Sequence, residues 1–258
     1  MENHLNWSFD YRSHHVPTVD FYTKFNQMIE EKKPEPGVIH YAIMPNYSFN
    51  HFPGICNMDE LLLGELRIER RKKADGWSYH VRQKDSSSGE ALELSFSCED
   101  NHFRSLKDRF ELSASIQSND LFKSYSLRGQ IFRESDRADV KLLHSSGTSF
   151  SAGQAPLSQP LISEFTLFDT LPVLAGQGGV QEFALLERLE RLYPHQRLGH
   201  LQEDILSSGT KKMRIQGYYL HGTGTIPSYW WVDEQQRVVV MTTTLFTYVL
   251  RDQEGIKP

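Results

Sequence analysis

Apolar and polar residues alternate with a period of two through most of the chain between residues 38 and 144. That period puts successive side chains on opposite faces of a strand, so it predicts strands with one buried and one solvated face. VIHYAIM (38–44) is the first. In LLLGELRIERR (61–71), Leu62, Gly64, Leu66 and Ile68 share one face, and Glu65, Arg67, Glu69 and Arg71 share the other. Asp75 and Gly76 then supply a hairpin turn. Trp77, Tyr79 and Val81 repeat the inward pattern, followed by Leu92, Leu94, Phe96 and Cys98. Phe110, Leu112, Ala114 and Ile116 continue it, as do Tyr125, Leu127, Gly129 and Ile131. A shorter strand is predicted over Val140–His144. Strands at such regular intervals predict an antiparallel meander that closes as a barrel or sandwich. The charged outer face excludes a membrane barrel, whose outside must be apolar.

The flanks read differently. Residues 1–17 form a polar arm dotted with aromatics. A short helix is predicted from Thr18, with Phe21, Phe25, Met28 and Ile29 at helical spacing, and Pro34, Pro36 and Gly37 end it. Residues 145–160 are rich in Ser, Gly and Pro and read as a linker or long excursion. Two helices are predicted next: Leu161–Ala175, with Ser163 as a possible cap, and FALLERLERL (183–192), stopped by Tyr193 and Pro194. A strand follows at 197–204. Lys211–Leu250 then gives three β-type runs joined by two turns. The expected fold is mainly β: an antiparallel meander forming a single barrel, closed or half-open. A short N-terminal arm and helix (1–37) precede it. The barrel domain (38–258) carries a two-helix insertion at about 161–192, covering one mouth or face.

Bulk properties narrow the class. The chain has 258 residues and a formal net charge of −5, which argues against a general binder of nucleic acid or anionic membrane. No run approaches the ~20 apolar residues of a membrane-spanning helix. The N-terminus has neither the basic nor the apolar region of a secretory leader. The chain therefore reads as cytoplasmic as it stands, or as exported if a leader has been removed. Cys56 and Cys98 are too few for a disulfide scaffold, and spacing alone leaves a single bridge between them open.

Sequence signatures of chemistry are sparse. GxSxG, HExxH, a Walker loop, CxxC and an EF-hand loop are all missing. GTGT (222–225) precedes Pro227 and a strand, and reads as a Gly-rich turn. The eleven histidines include no i,i+2 or i,i+4 pair, so neither a metal nor a cofactor is expected. Asp233 and Glu234 read as turn residues between WWV and RVVV. The densest aromatic cluster is Tyr218, Tyr219, Tyr229, Trp230 and Trp231. Adjacent strand residues face opposite ways, so one tryptophan should face the interior and the other solvent or a lid. Alternation groups Tyr219 and His221 on one face, expected to be the interior. A barrel mouth lined by Tyr218, Tyr219, His221, Tyr229, Trp230 and Trp231 would suit a sugar, lipid or other amphipathic molecule.

The segment GYYLHGTGTIPSYWWVDEQQRVVVMTTTLFTYVL resembles the closing strands of the bacterial envelope β-barrel families of the DUF3108 and DUF6134 type. Gly224, Pro227, Trp230 or Trp231, Asp233 and Arg237 stand at positions comparable to their G-x-x-P-x-x-(Y/W)-W-x-D-x-x-x-R pattern. FSCEDNHFRSLKDRFELSA (96–114) is similar to their mid-barrel hairpin. The resemblance implies a barrel and an envelope association, and carries no reaction or cofactor. Three functions are in play. The first is a ligand-binding or envelope-associated barrel for an amphipathic or carbohydrate-like molecule. The second is an enzyme on a carbohydrate or lipid-like substrate, with His221 or Tyr219 as acid/base and Arg237 as anion clamp. The third is an assembly subunit, oligomer or protein partner docking through residues 1–25.

Overall fold

The computed structural model describes residues 37–45, 62–85, 89–118, 121–208, 211–243 and 245–251. Among them are fifteen strands in one sheet and one α-helix. The strands are β1 (Val38–Pro45), β2 (Gly64–Lys73), β3 (Gly76–Asp85), β4 (Glu90–Cys98), β5 (Leu106–Ser118), β6 (Leu121–Arg133), β7 (Arg137–His144) and β8 (Ser149–Pro156). After β9 (Leu161–Ser163) comes the helix, α1 (Glu164–Gly176). Then follow β10 (Gln181–Glu187), β11 (Arg191–Ser208), β12 (Lys211–His221), β13 (Ser228–Asp233), β14 (Val238–Thr242) and β15 (Phe246–Leu250).

The sheet order is β8-β7-β6-β5-β4-β3-β2-β1-β15-β14-β13-β12-β11-β10-β9. Sequential neighbours pair except β8 and β9, which form the two edges, and β1 joins β15, so linking the first and last strands. All pairings are antiparallel save β9 with β10. Edge strand β8 lies against β11, where a Cβ on Gly153 would sit 3.1 Å from Leu192. The sheet thus curls into a nearly closed barrel. The period-two meander is observed as expected. Leu66, Ile68, Tyr79, Val81, Leu92, Leu94 and Phe96 are buried on the inner face.

Several expectations at the flanks of the meander need correction. The Ser/Gly/Pro-rich stretch 145–160 is no linker: it turns the chain and contributes β8, paired with β7. The proposed second helix, 183–192, is β10 and the start of β11. Phe183, Ala184, Leu185 and Leu186 are all buried. A strand buried on both faces is apolar at consecutive positions, which imitates one side of a short helix. The insertion therefore contains one helix. The strand expected at 197–204 is the middle of β11, which is much longer. The arm and helix expected before residue 37, and Cys56, lie outside the described residues. Cys98 is a free, buried thiol, pushed up to about 12 by burial.

Helix α1 fills the barrel rather than capping it from outside. It is N-capped by Ser163, whose Oγ accepts the Phe165 N–H. Leu161–Ser163 extends β9 into the sheet, so the helix begins three residues later than the apolar pattern suggested. EFTLFDTLPVLAG is apolar on nearly every side, the composition of a helix surrounded by core. Phe168 meets Tyr41 of β1, Trp230 of β13 and Tyr248 of β15. Asp169 reaches the adjoining strands β2 and β3, accepting the Tyr79 hydroxyl at 2.7 Å and pairing with Arg70.

Candidate functional site

The register separates the C-terminal aromatics into two groups. Tyr218 pairs with Trp230, Gly217 with Trp231, and Tyr219 with Tyr229. Since Trp230 packs on Phe168, the Tyr218–Trp230 row is the inner one. Trp230 Nε1 donates to Ser228 Oγ at 2.9 Å, and Tyr218 donates to Gln216 Oε1 at 2.9 Å.

Tyr219 and His221 lie on the outer face, contrary to expectation. The Tyr219 ring crosses Gly199, where a Cβ would come within 2.5 Å. His221 is exposed, its ring 5.3 Å from that of Tyr219. Partial burial, followed by the nearby Arg197, holds its imidazole below the usual range. Alternation grouped the two residues correctly, but which face was inner depended on where α1 packs. The two tryptophans do point to opposite faces, and both are buried, so neither indole faces solvent. Trp231, fully buried, covers Gly217; a Cβ there would lie 2.6 Å from the ring. Val240 and Val249 on the same row are buried too.

Asp233 serves the β13–β14 turn, as its sequence context suggested. Its Oδ1 accepts the N–H groups of Gln235 and Arg237 at 3.0 and 2.9 Å. Its Oδ2 accepts Arg237 Nε and Nη2 at 2.9 and 2.7 Å. Arg237 is thereby committed to a local carboxylate and is not presented to a ligand as an anion clamp. The six candidates do not converge on one point: Trp230 and Tyr218 face inward, whereas Tyr219, His221, Tyr229 and Trp231 face outward.

A more coherent constellation lies inside, at the N-terminal end of α1. A cavity of about 70 Å³ opens there beneath the loop between β12 and β13. Phe165, Phe168, Trp230 and Tyr248 provide its aromatic walls. Thr225, Ser228 and Thr243 provide hydroxyls, and Glu164 and Glu187 provide carboxyls. Leu185, Leu220, Ile226 and Met241 complete it. The overlying loop is held by Gln196, which is fully buried. Gln196 accepts the Thr225 hydroxyl at 2.6 Å and donates to the carbonyls of Pro194 and Thr223 at 3.0 and 3.4 Å. Gly222 leaves room for that amide: a Cβ would lie 2.4 Å from it. The GTGT motif is thus a shaped turn over a cavity.

Glu164 is the central group. Its Oε1 accepts the backbone N–H of Arg188 at 2.8 Å. Its second oxygen has no hydrogen-bond partner among the described residues. Burial, then the neighbouring Glu187, raise its carboxyl to about 7, against the pull of the Arg188 N–H and guanidinium. Arg188 itself turns toward β4 and pairs with Glu90, while Tyr125 donates to Glu190 at 2.7 Å. Arg188 Nε is buried without a partner among the described residues. Both Arg188 and Leu189 adopt positive φ, 49° and 58°, in the turn joining β10 to β11.

Sequence reasoning missed Glu164, Glu187 and Tyr248. A signal existed for the first: Glu164 and Asp169 are the charged residues of an otherwise apolar helix, and such residues, once buried, require partners. Among the described residues no three His, Cys, Asp or Glu side chains group as metal ligands. Nor is any helix among them long and apolar enough to cross a membrane. Two open troughs of about 530 and 690 Å³ lie over β2–β6 and are lined by charged and serine side chains. Tyr79, Phe96 and Phe110 also border the first and Tyr125 the second, but both troughs are far more open than the interior cavity.

No family model matches the chain, so the resemblance to the DUF3108 and DUF6134 types rests on the quoted residues alone. No curated protein matches it either. Among solved structures, the chain is similar to the beta-barrel-like protein of domain of unknown function DUF1849 from Brucella abortus. That likeness covers 83% of this chain and 94% of the other, at 9% identity and a TM-score of 0.48.

Proposed function

We propose that this protein binds a small amphipathic molecule at the interior cavity beside Glu164. The cavity's composition carries the reading: acids and hydroxyls set among four aromatic rings, with apolar residues near the opening. Ligand sites commonly combine apolar walls with a few placed polar groups. A volume of about 70 Å³ admits a polar head group and leaves the rest of the molecule outside. Ile226 and Leu245, 59% and 61% exposed, follow the cavity residues Thr225 and Thr243 in their two loops. They provide exposed apolar surface for a hydrocarbon tail.

The test is a fluorescence titration with eight-carbon amphiphiles of different head group: octanol, octylamine, octanoate and octyl glucoside. At least one should give a saturable change that disappears in Trp230→Phe. Leu220→Phe, which puts extra bulk into the cavity, should weaken that binding by about tenfold, equivalent to ~1.4 kcal/mol. Failure of all four to bind, or equal affinity in Leu220→Phe, overturns the reading.

A further inference from the structure

We infer that the head group taken by this cavity is a cation, an ammonium of a primary or singly methylated amine. The inference rests on the binding role proposed above and specifies its ligand class. Four observations support it. Two carboxyls, Glu164 and Glu187, border one small space. One oxygen of Glu164 is occupied by the Arg188 N–H, while the other lacks a hydrogen-bond partner among the described residues. The guanidinium of Arg188, whose charge reaches Glu164 from a distance, does not line the cavity and pairs with Glu90. The walls are aromatic, and the faces of Trp230, Phe168 and Tyr248 attract positive charge.

Each alternative head group fits less well. A carboxylate or phosphate would meet two acids in a weakly solvated space, where like charges repel strongly. A neutral hydroxyl would bond to Ser228, the Thr225 and Thr243 hydroxyls being engaged with Gln196 and Phe246, and would bring no charge to Glu164. An ammonium donates to the available oxygen and supplies the countercharge that makes ionisation of a buried carboxyl favourable. The size of the space sets an upper limit: a primary or methylated ammonium fits about 70 Å³, whereas a sugar ring does not. The apolar surface at Ile226 and Leu245 then favours an alkyl amine over a free polyamine or lysine side chain.

The experiment compares octylamine, octanol, octanoate and N-acetyl-lysine amide at pH 8 on the full chain. Octylamine should bind about tenfold tighter than octanol, octanoate more weakly than octanol, and the lysine derivative more weakly than octylamine. In Glu164→Gln, which retains an acceptor for the Arg188 N–H, the ratio of octylamine to octanol affinity should fall to about one. Ile226→Arg, an exposed substitution at the opening, should reduce the same ratio by repelling the amine. Equal binding of octylamine and octanol to the natural protein overturns the cation assignment and leaves the amphiphile reading standing. So does a preference that survives in Glu164→Gln. Tighter binding of the lysine derivative overturns the alkyl-amine assignment. If none of the amphiphiles binds, the binding reading itself fails and takes this inference with it.

Discussion

Glu164, the first residue of the interior helix, accepts the backbone N–H of Arg188 at 2.8 Å and so ties the helix to the β10–β11 turn. That turn holds two bulky residues at positive φ, a conformation that costs about 1 kcal/mol or more for each non-glycine residue. Leu189 is fully buried, which offsets its strain by keeping its side chain in the core. One carboxyl thus borders the cavity and also helps secure the hairpin beside it.

The protonation state of Glu164 should make stability depend on pH. Its carboxyl holds a proton up to about 7 in the fold, whereas an unperturbed glutamate releases it near 4.5. Between these values the folded chain binds more protons at this site, so stability falls as pH rises through the window and levels above it. Glu187, Arg188 and Glu190 of the hairpin and Tyr248 of β15 share the same field. The expected loss is roughly 1–3 kcal/mol, reduced by residual solvent access. Urea denaturation at pH 5 and pH 8 should show it, and Glu164→Gln should remove most of the difference.

Ligand affinity should run the other way. An ammonium requires the ionised carboxylate, so octylamine binding should strengthen from pH 6 to pH 8 and be nearly flat in Glu164→Gln. Isothermal titration at the two pH values gives the comparison. A pH-independent affinity in the natural protein would show that Glu164 is not the countercharge.

Asp169 fastens the helix to β2 and β3 through Arg70 and Tyr79. Asp169→Ala leaves a phenol and a guanidinium short of their partner inside the barrel. It should cost about 2–4 kcal/mol by chemical denaturation. Tyr79→Phe, which removes one hydrogen bond, should cost about 1 kcal/mol.

At the β13–β14 turn, Asp233→Ala removes the acceptor for two backbone N–H groups and for the Arg237 guanidinium. A loss of about 2–3 kcal/mol is expected, while Glu234→Ala, an exposed neighbour, should change stability by less than about 0.5 kcal/mol. Thermal melts of the two variants separate the roles.

Gly217→Ala tests the outer aromatic row. The new Cβ would overlap the Trp231 ring, which is fully buried and so has little room to withdraw. Destabilisation of about 1–3 kcal/mol is expected. His221→Ala, exposed on the same face, should leave both stability and amphiphile binding close to those of the natural protein.

The sequence by itself determined the meander. Leu66 with Ile68, Tyr79 with Val81, and Leu92 with Leu94 show their faces by alternation alone, because a half-solvated strand exposes every second residue. It also located the Ser163 cap and the Asp233 turn, whose chemistry is local. Tertiary structure decided the rest. Phe183–Leu186 became a strand because both of its faces are covered, which removes the period that would distinguish it. Tyr219 and His221 were placed outside because Phe168 packs on Trp230 and thereby defines the inner row. The cavity joins Glu164, Glu187, Ser228 and Tyr248 from four separate elements. Alternation assigns faces within one strand; only the packing of the helix into the curled sheet brings distant faces together.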